Sequence, residues 1–352
     1  MIAGGRVMRP PIWLVFGTLI ALLVAASLIA VMTGAAGIPF SRLAAALGWG
    51  TSDNAALPRD QLVLWSIRLP RIALAAMVGA LLAAAGALMQ GVFRNPLADP
   101  ALVGVSSGAA LAAAITIVIG DKFLLANIVA VPIEVLPVAA FCGALAATLV
   151  LYRIATHHTR TSIAIFLLGG LAIAALVNAG IGLLVFLSDD RQLRDITFWM
   201  LGSLGGATWA KVFAILPFLA ATLVALPMMA RGLDLLVLGE AEAFHMGIAV
   251  ERLKRAAIVV IALAIGAAVA VSGIIGFVGI VVPHLLRLIV GPGHRTLLPA
   301  STLLGAAIML GADTVARTLA APAELPIGIV TAAIGAPFFL VLLLRQRSLV
   351  TL

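Results

Sequence analysis

The sequence predicts an all-α, polytopic membrane protein of about ten transmembrane helices. Three observations lead there. Of 352 residues, 63% are hydrophobic and only 10% are charged, where a soluble domain carries about 25% charged residues. Mean hydropathy is +1.22. Ten apolar runs are each long enough to approach the roughly 20 residues that a spanning helix needs. They fall at 12–33, 72–93, 101–119, 132–152, 163–187, 211–230, 254–272, 276–291, 297–317 and 327–344.

The first run follows Arg6 and Arg9, as in a signal peptide. It is too long for a signal core and lacks a clear small-residue cleavage site, so it reads as a retained span. The eighth is the doubtful one. It is short and holds Gly279 and Pro283. Broken or re-entrant backbone is tolerated at membrane depth where protein or a cavity surrounds it.

Orientation follows from the Lys and Arg residues of the short loops. With the N-terminus inside, the inner segments hold Arg6, Arg9, Arg94, Arg153, Arg160, Arg231, Arg252, Lys254, Arg255, Arg295, Arg345 and Arg347. The outer loops hold fewer, offset by acids: Asp121 with Lys122, and Asp189, Asp190 and Asp195 with Arg191 and Arg194. An even number of spans puts both termini in the cytoplasm.

The formal net charge of +8 would raise nucleic acid as a partner in a soluble protein. Here the basic residues stand in short clusters between apolar runs, without interleaved aromatics, and read as orientation signals. Cys142 is the only cysteine, so neither an internal disulfide nor a cysteine-based metal site can form. The histidines His157, His158, His245, His284 and His294 lack the spacing of a helical metal site. No glycine-rich phosphate loop of the Walker type occurs, so ATP hydrolysis would need a separate subunit. An ion-driven transporter would place carboxylates at mid-membrane. Asp313 comes nearest, close to the outer end of its span. A membrane enzyme would need a nucleophile–base pair or metal cluster, and none is found.

Gly79, Gly86, Pro96 and Gly104 match Gly266, Gly273, Pro283 and Gly291 at a constant offset of 187 residues. The copies start at spans two and seven, so the second would be inverted in the membrane, a pattern common in transporters. The repeat halves would run over about 68–190 and 253–345 of a single domain, 1–352. The alternative is that these residues only mark close helix packing and breaks.

Residues 231–255 form the longest polar-containing inner segment. Gly239 and Gly247 bracket "EAEAFHM", which reads as a short amphipathic helix with Glu240 and Glu242 exposed. It is either a solvated connector or a docking element for a soluble partner. At the outer side, Arg68 and Arg71 flank Pro70, and Arg317 follows Asp313. Such arginines either snorkel to head groups or form a basic patch for an acidic partner. Arg191 and Arg194 lie in "SDDRQLRDITFWMLGSLGGATW", a candidate pathway mouth. Arginine suits carboxylate recognition there, and a loop balanced by its own aspartates is the alternative.

The blocks "IRLPR" at 67–71, "FRNPLADPALVGVSSGA" at 93–109, "LGEAEAFHMGI" at 238–248, "GFVGIVVPHLLRLIVGPGHR" at 276–295 and "ELPIGIVTAAIGAPFFLVLLLR" at 324–345 resemble the permeases of bacterial ATP-driven importers for iron–siderophores, haem and vitamin B12. The resemblance runs from about residue 60 to the C-terminus. It implies the type II importer permease architecture: a ten-helix inner-membrane subunit forming a homodimer, with the pathway at the dimer interface. Two cytoplasmic ATPase subunits, carrying ATP and Mg, would bind below, and a periplasmic binding protein would dock above. The chain itself would bind no cofactor. Carried over by position, Arg68, Arg71 and Arg317 are similar to the arginines that meet glutamates of the binding protein. Asn95 and Leu97 are similar to residues of the cytoplasmic gate. The 238–248 stretch, with Gly239, Glu240, Ala243 and Gly247, is similar to the helix that docks in the ATPase. The segment around Arg191 and Arg194 is more similar to haem-transporting members, so haem is the expected cargo.

Overall fold

The computed structural model describes residues 10–34, 38, 40–48, 57–100, 104–120, 135–157 and 160–350. Arg6, Arg9, Asp121, Lys122 and His158 lie outside them. The described chain is helical except for loops and one two-residue antiparallel pair, Thr156–His157 with Arg160–Thr161.

The helices are α1 (Ile12–Met32), α2 (Phe40–Ala46), α3 (Leu57–Val63), α4 (Leu69–Val92), α5 (Val105–Ile115), α6 (Val135–Ala155), α7 (Ile163–Phe186), α8 (Asp190–Leu201), α9 (Trp209–Leu236), α10 (Glu240–His245), α11 (Val250–Ser272), α12 (Val278–Val290), α13 (His294–Leu319) and α14 (Ile327–Val350). One π-helical turn, Leu64–Arg68, joins α3 to α4, and another, Thr116–Gly120, extends α5. Seven of these helices are long and apolar enough to cross a membrane, α3 and α4 counting as one. Three shorter apolar helices complete the ten expected spans.

The most apolar stretch of the α3–α4 span is 83% buried, against 17% for α7 and 22% for α1 and α6. So α4 is the axis of the bundle, with α11 and α13 beside it, while α1, α6, α7 and α9 turn large side chains outward. Trp13, Leu176, Phe186 and Met228 are among the most exposed. A continuous apolar exterior of this kind is stable against lipid and unstable in water.

Why α4 can sit at the centre is visible in its composition. The stretch "GALLAAAGAL" has few bulky side chains, so neighbouring backbones approach closely. Gly86 is the extreme case: a Cβ there would fall on the backbone carbonyl of Gly279 in α12. Only hydrogen fits between those two helices.

Arg71 meets Asp313, Gly79 meets Gly305, and Gly91 meets His294. Numbers rise along α4 as they fall along α13, so the two helices are antiparallel. Arg71 and Gly91 are twenty positions apart, roughly 30 Å at 1.5 Å per residue, which is the thickness of a hydrocarbon core. Each end of the bundle therefore carries its own polar cluster.

The eighth span is short, as expected, but unbroken at Gly279 and Pro283; the interruption lies before it. Gly273 (φ 68°) ends α11, and Phe277, at φ 68°, begins the 13-residue α12, which starts beside the interior of α4. The Cβ of Phe277 lies against Gly335 of α14, which holds this left-handed residue in place. Of the repeat positions, Gly86 lies inside α4 whereas Gly273 terminates α11, and Pro96 lies in a turn whereas Pro283 lies inside α12. These two pairs thus occupy different local settings, whereas Gly79 and Gly266 both lie inside helices and Gly104 and Gly291 are both helix-end glycines of positive φ.

Of the two polar connectors, one holds the short helix expected between Gly239 and Gly247 and the other is helical where a loop was expected. The segment 231–255 is not one long connector. α9 continues to Leu236 and α11 begins at Val250, leaving α10 between short turns. The stretch after span five folds as α8. Its start is a capping box, with the Asp189 carboxylate accepting from the Gln192 amide and the Gln192 side chain accepting from the Asp189 amide.

Candidate functional site

At the end of the bundle where α4 begins, three arginines converge. The Arg71 guanidinium donates to Asp313 at 2.9–3.1 Å and to Glu324 at 2.8–3.0 Å. Arg317 forms an ion pair with Asp313 at 3.1 Å and donates to the Ala30 and Thr33 carbonyls at the end of α1. Arg68 donates to the Val31 carbonyl of the same helix. The last turn of α1 has no helical partners for its carbonyls, and these arginines supply them. The sequence raised two readings, a snorkelling set or a free basic patch. The structure brings the three arginines together, but as a buried network. Arg68 is 4% exposed and Asp313 is 1% exposed, while the Glu324 side chain is 46% exposed. Glu324 and Asp60, which pairs with Arg42 at 3.2 Å, were absent from the sequence expectation. Only the proximity of "ELP" to an arginine-rich helix end could have hinted at Glu324.

Arg191 and Arg194 lie on α8 at this same end and are exposed. Arg191 has a loose i,i+4 pair with Asp195 at 3.9 Å. Nearby, a cavity of about 350 Å³ is lined by Asp195, Trp199, Ser203 and Lys211, among others. Lys211 donates to the Gly206 carbonyl at 2.7 Å.

The opposite end holds Asn95 and Leu97, in the turn that stops α4. The Asn95 amide donates to the Gln90 carbonyl at 3.1 Å, and its side-chain oxygen accepts from the Leu97 amide at 3.0 Å. Gln90 in turn donates to the Gly279 and Ile280 carbonyls and accepts from Arg287 at 2.9 Å. The candidate gate is therefore tied through Gln90 to α12. The sequence did not flag Gln90, because a lone glutamine in an apolar run carries no signal by itself.

At this end too lies α10. Gly239 and Gly247, at φ 133° and 86°, bound it. Ala243 is fully buried and packs with Leu236 and Val250. Glu240 was expected to be exposed. It is half-buried and pairs with Lys254 at 2.7 Å, while Glu242 is exposed. Lys254, 2% exposed, also meets Glu251 at 3.2 Å, and Glu251 accepts from the Thr161 amide. These bonds tie α10 to α11 and to the hairpin after α6. Beside them a cavity of about 620 Å³ opens, lined by Glu240, Phe244, His245 and Arg252, among others. Asp234, at the end of α9, accepts from the His294 backbone amide at 2.8 Å and lies 2.7 Å from its Nδ1.

Among the described residues, no group of three or more His, Cys, Asp or Glu side chains could hold a metal ion. Asp313 is spent on two arginines at one end of the bundle, so it is not placed to carry an ion through the middle.

The profile of the FecCD transport family matches residues 22–345. The hemin transport system permease protein of Yersinia pestis is 44% identical over 336 residues, covering 95% of this chain and 96% of that protein. The cobalamin import system permease protein of Halobacterium salinarum is 45% identical over 316 residues, covering 89% and 81%. Among solved structures, an inward-facing metal-chelate-type ABC transporter superposes with a TM-score of 0.81 at 33% identity, covering 94% of this chain and 99% of the other. PsaBC from Streptococcus pneumoniae, at 16% identity and a TM-score of 0.56, shares the fold.

Proposed function

Because the chain belongs to the FecCD transport family, we propose that it moves haem from periplasm to cytoplasm through the interface of a homodimer. The family consists of the permease subunits of ATP-binding-cassette importers, with ATP hydrolysis on a separate subunit. As such the chain is a multi-pass inner-membrane protein that works with an ATPase and a binding protein.

Haem is favoured by one observation. Similarity to the Yersinia hemin permease extends over nearly the whole of both chains. The comparable identity to a cobalamin permease supports vitamin B12 as the second reading. In either case the cargo is handed over by the binding protein.

The two polar ends receive different roles. The Arg68, Arg71 and Arg317 network is the docking site for acidic residues of the binding protein, which reach the buried arginines by displacing Glu324, its exposed member. The α10 region, with Gly239, Glu240, Ala243 and Gly247, receives the ATPase and its ATP and Mg. Both termini then lie in the cytoplasm. Asn95 and Leu97 close the inner end, and Arg191 and Arg194 border the entry for cargo. Nucleotide and loaded binding protein favour different conformations of the bundle, and that difference alone drives alternating access. The supporting geometry is the chain of contacts from α10 through Lys254 to α11, and from Asn95 through Gln90 to α12.

The test is reconstitution of the chain with its ATPase and binding protein in vesicles, followed by uptake of haem, ferric siderophore and cobalamin. Uptake of haem alone, dependent on ATP, is the expected result. Cobalamin uptake without haem uptake replaces the cargo. Transport without ATP overturns the mechanism.

A further inference from the structure

A groove between α9 and α13 belongs to neither the gate nor the α10 region. It encloses about 670 Å³, within the range of about 300–1,000 Å³ typical of ligand sites. Leu223, Leu226, Pro227 and Leu298 line its apolar part, and Arg231 and Arg295 stand at its rim. Both arginines are exposed, and neither has an ion pair among the described residues. Asp234, the acid at the same rim, already accepts from His294. The rim therefore carries two arginines against one carboxylate that is already engaged by His294, a net positive charge with both guanidinium groups free to take an anion.

The geometry sets the shape of an occupant. From Asp234 to Leu223 the helix rises roughly 16 Å at 1.5 Å per residue, about half the hydrocarbon core. The rim lies at the end of the bundle that carries α10, since Asp234 is in the last turn of α9. Pro227 and Pro299, inside the two helices, both line the groove. A ligand here needs a compact anionic head and an apolar tail about one leaflet long. A soluble anion would leave the leucine-lined part empty, and a zwitterionic head would leave the arginines without net compensation. By contrast, the groove between α6 and α11, of about 390 Å³, has Arg255 as its only charged lining residue.

We propose that the α9–α13 groove is a binding site for one anionic phospholipid of the inner leaflet, its head held by Arg231 and Arg295. Basic pockets between spanning helices on the cytoplasmic side have this chemistry.

The test uses the purified full chain with its ATPase subunit, in detergent, by native mass spectrometry. Phosphatidylglycerol and phosphatidylcholine with identical acyl chains are added at equal concentration. One phosphatidylglycerol per chain should be retained, preferred by roughly tenfold over phosphatidylcholine. Arg231→Gln with Arg295→Gln should abolish that preference, and Arg231→Lys with Arg295→Lys should keep most of it. Leu223→Trp fills the groove, leaves both charges in place, and should lower retention of both lipids. Inorganic phosphate at millimolar concentration should not displace the lipid. Equal retention of the two lipids by the wild-type chain overturns the proposal even if the double variant fails to fold. So does a preference that survives the glutamine pair, displacement by phosphate, or loss of the lipid whenever the ATPase is bound, which would assign the arginines to that partner.

Discussion

Arg71 and Asp313 stand 242 positions apart in the chain and 2.9 Å apart in space, joining the start of α4 to the last turns of α13. Asp313 serves Arg317 as well, so one buried carboxylate holds two guanidinium groups. Removing one partner of a buried pair leaves charge without compensation, which costs about 3–5 kcal/mol. Asp313→Ala should lower the thermal unfolding midpoint of the detergent-purified chain by many degrees, and Asp313→Asn nearly as much. A midpoint within a degree or two of wild type would mean that the network does not hold these helices.

Glu324 is the exposed member of the same network and holds the outer edge of Arg71. If that end receives an acidic partner, Glu324 competes with it. Glu324→Gln should strengthen docking of the binding protein severalfold at low salt, and the gain should shrink as salt screens the exposed charges. Surface plasmon resonance across a salt series reads this directly, and weaker docking would argue that Glu324 belongs to the docking surface itself.

The contact of Gly86 with Gly279 leaves no room for a methyl group. Gly86→Ala should destabilise by about 1–3 kcal/mol through overpacking. At Gly17 in α1, a Cβ meets nothing within 4 Å. There Gly17→Ala should be neutral or stabilise by up to about 1 kcal/mol, as removal of a mid-helix glycine does. Thermal unfolding of the pair separates close packing from general helix propensity.

Gly247 has φ 86° and open space where a Cβ would go. A larger residue there is strained by its backbone and not by a clash, at about 1–2 kcal/mol. Gly247→Val should leave the protein folded but shift the end of α10. In the reconstituted complex, ATP hydrolysis should persist while uptake falls. Wild-type coupling would remove α10 from the transmission path.

The ten spans and their order were legible because each depends on local composition: a 20-residue apolar run is a helix in lipid wherever it packs. The shortness of span eight was legible, but its break was not: Gly279 and Pro283 lie inside the continuous α12, and the interruption falls before it, at residues 273–277. α8 was missed although its signal was present, in Asp189 and Gln192 at capping-box spacing, because the aspartates and arginines around it read as a balanced loop. The glycine matches at offset 187 show how one residue type serves two needs. Gly86 permits close packing inside a helix, and Gly273 permits the backbone turn that ends one.

By itself, then, the sequence determined that this chain spans the membrane many times, carries no Walker-type phosphate loop, and keeps most of its charge near the ends of its spans. What it could not determine is which charges meet. Arg71 finds Asp313 and Glu324, Lys254 finds Glu240, and His294 finds Asp234 only after antiparallel helices are brought alongside one another. In an apolar medium a side-chain charge without a partner is costly. The partner is set by helix direction and lateral position, which the packing of small residues around α4 decides and no local stretch of sequence encodes.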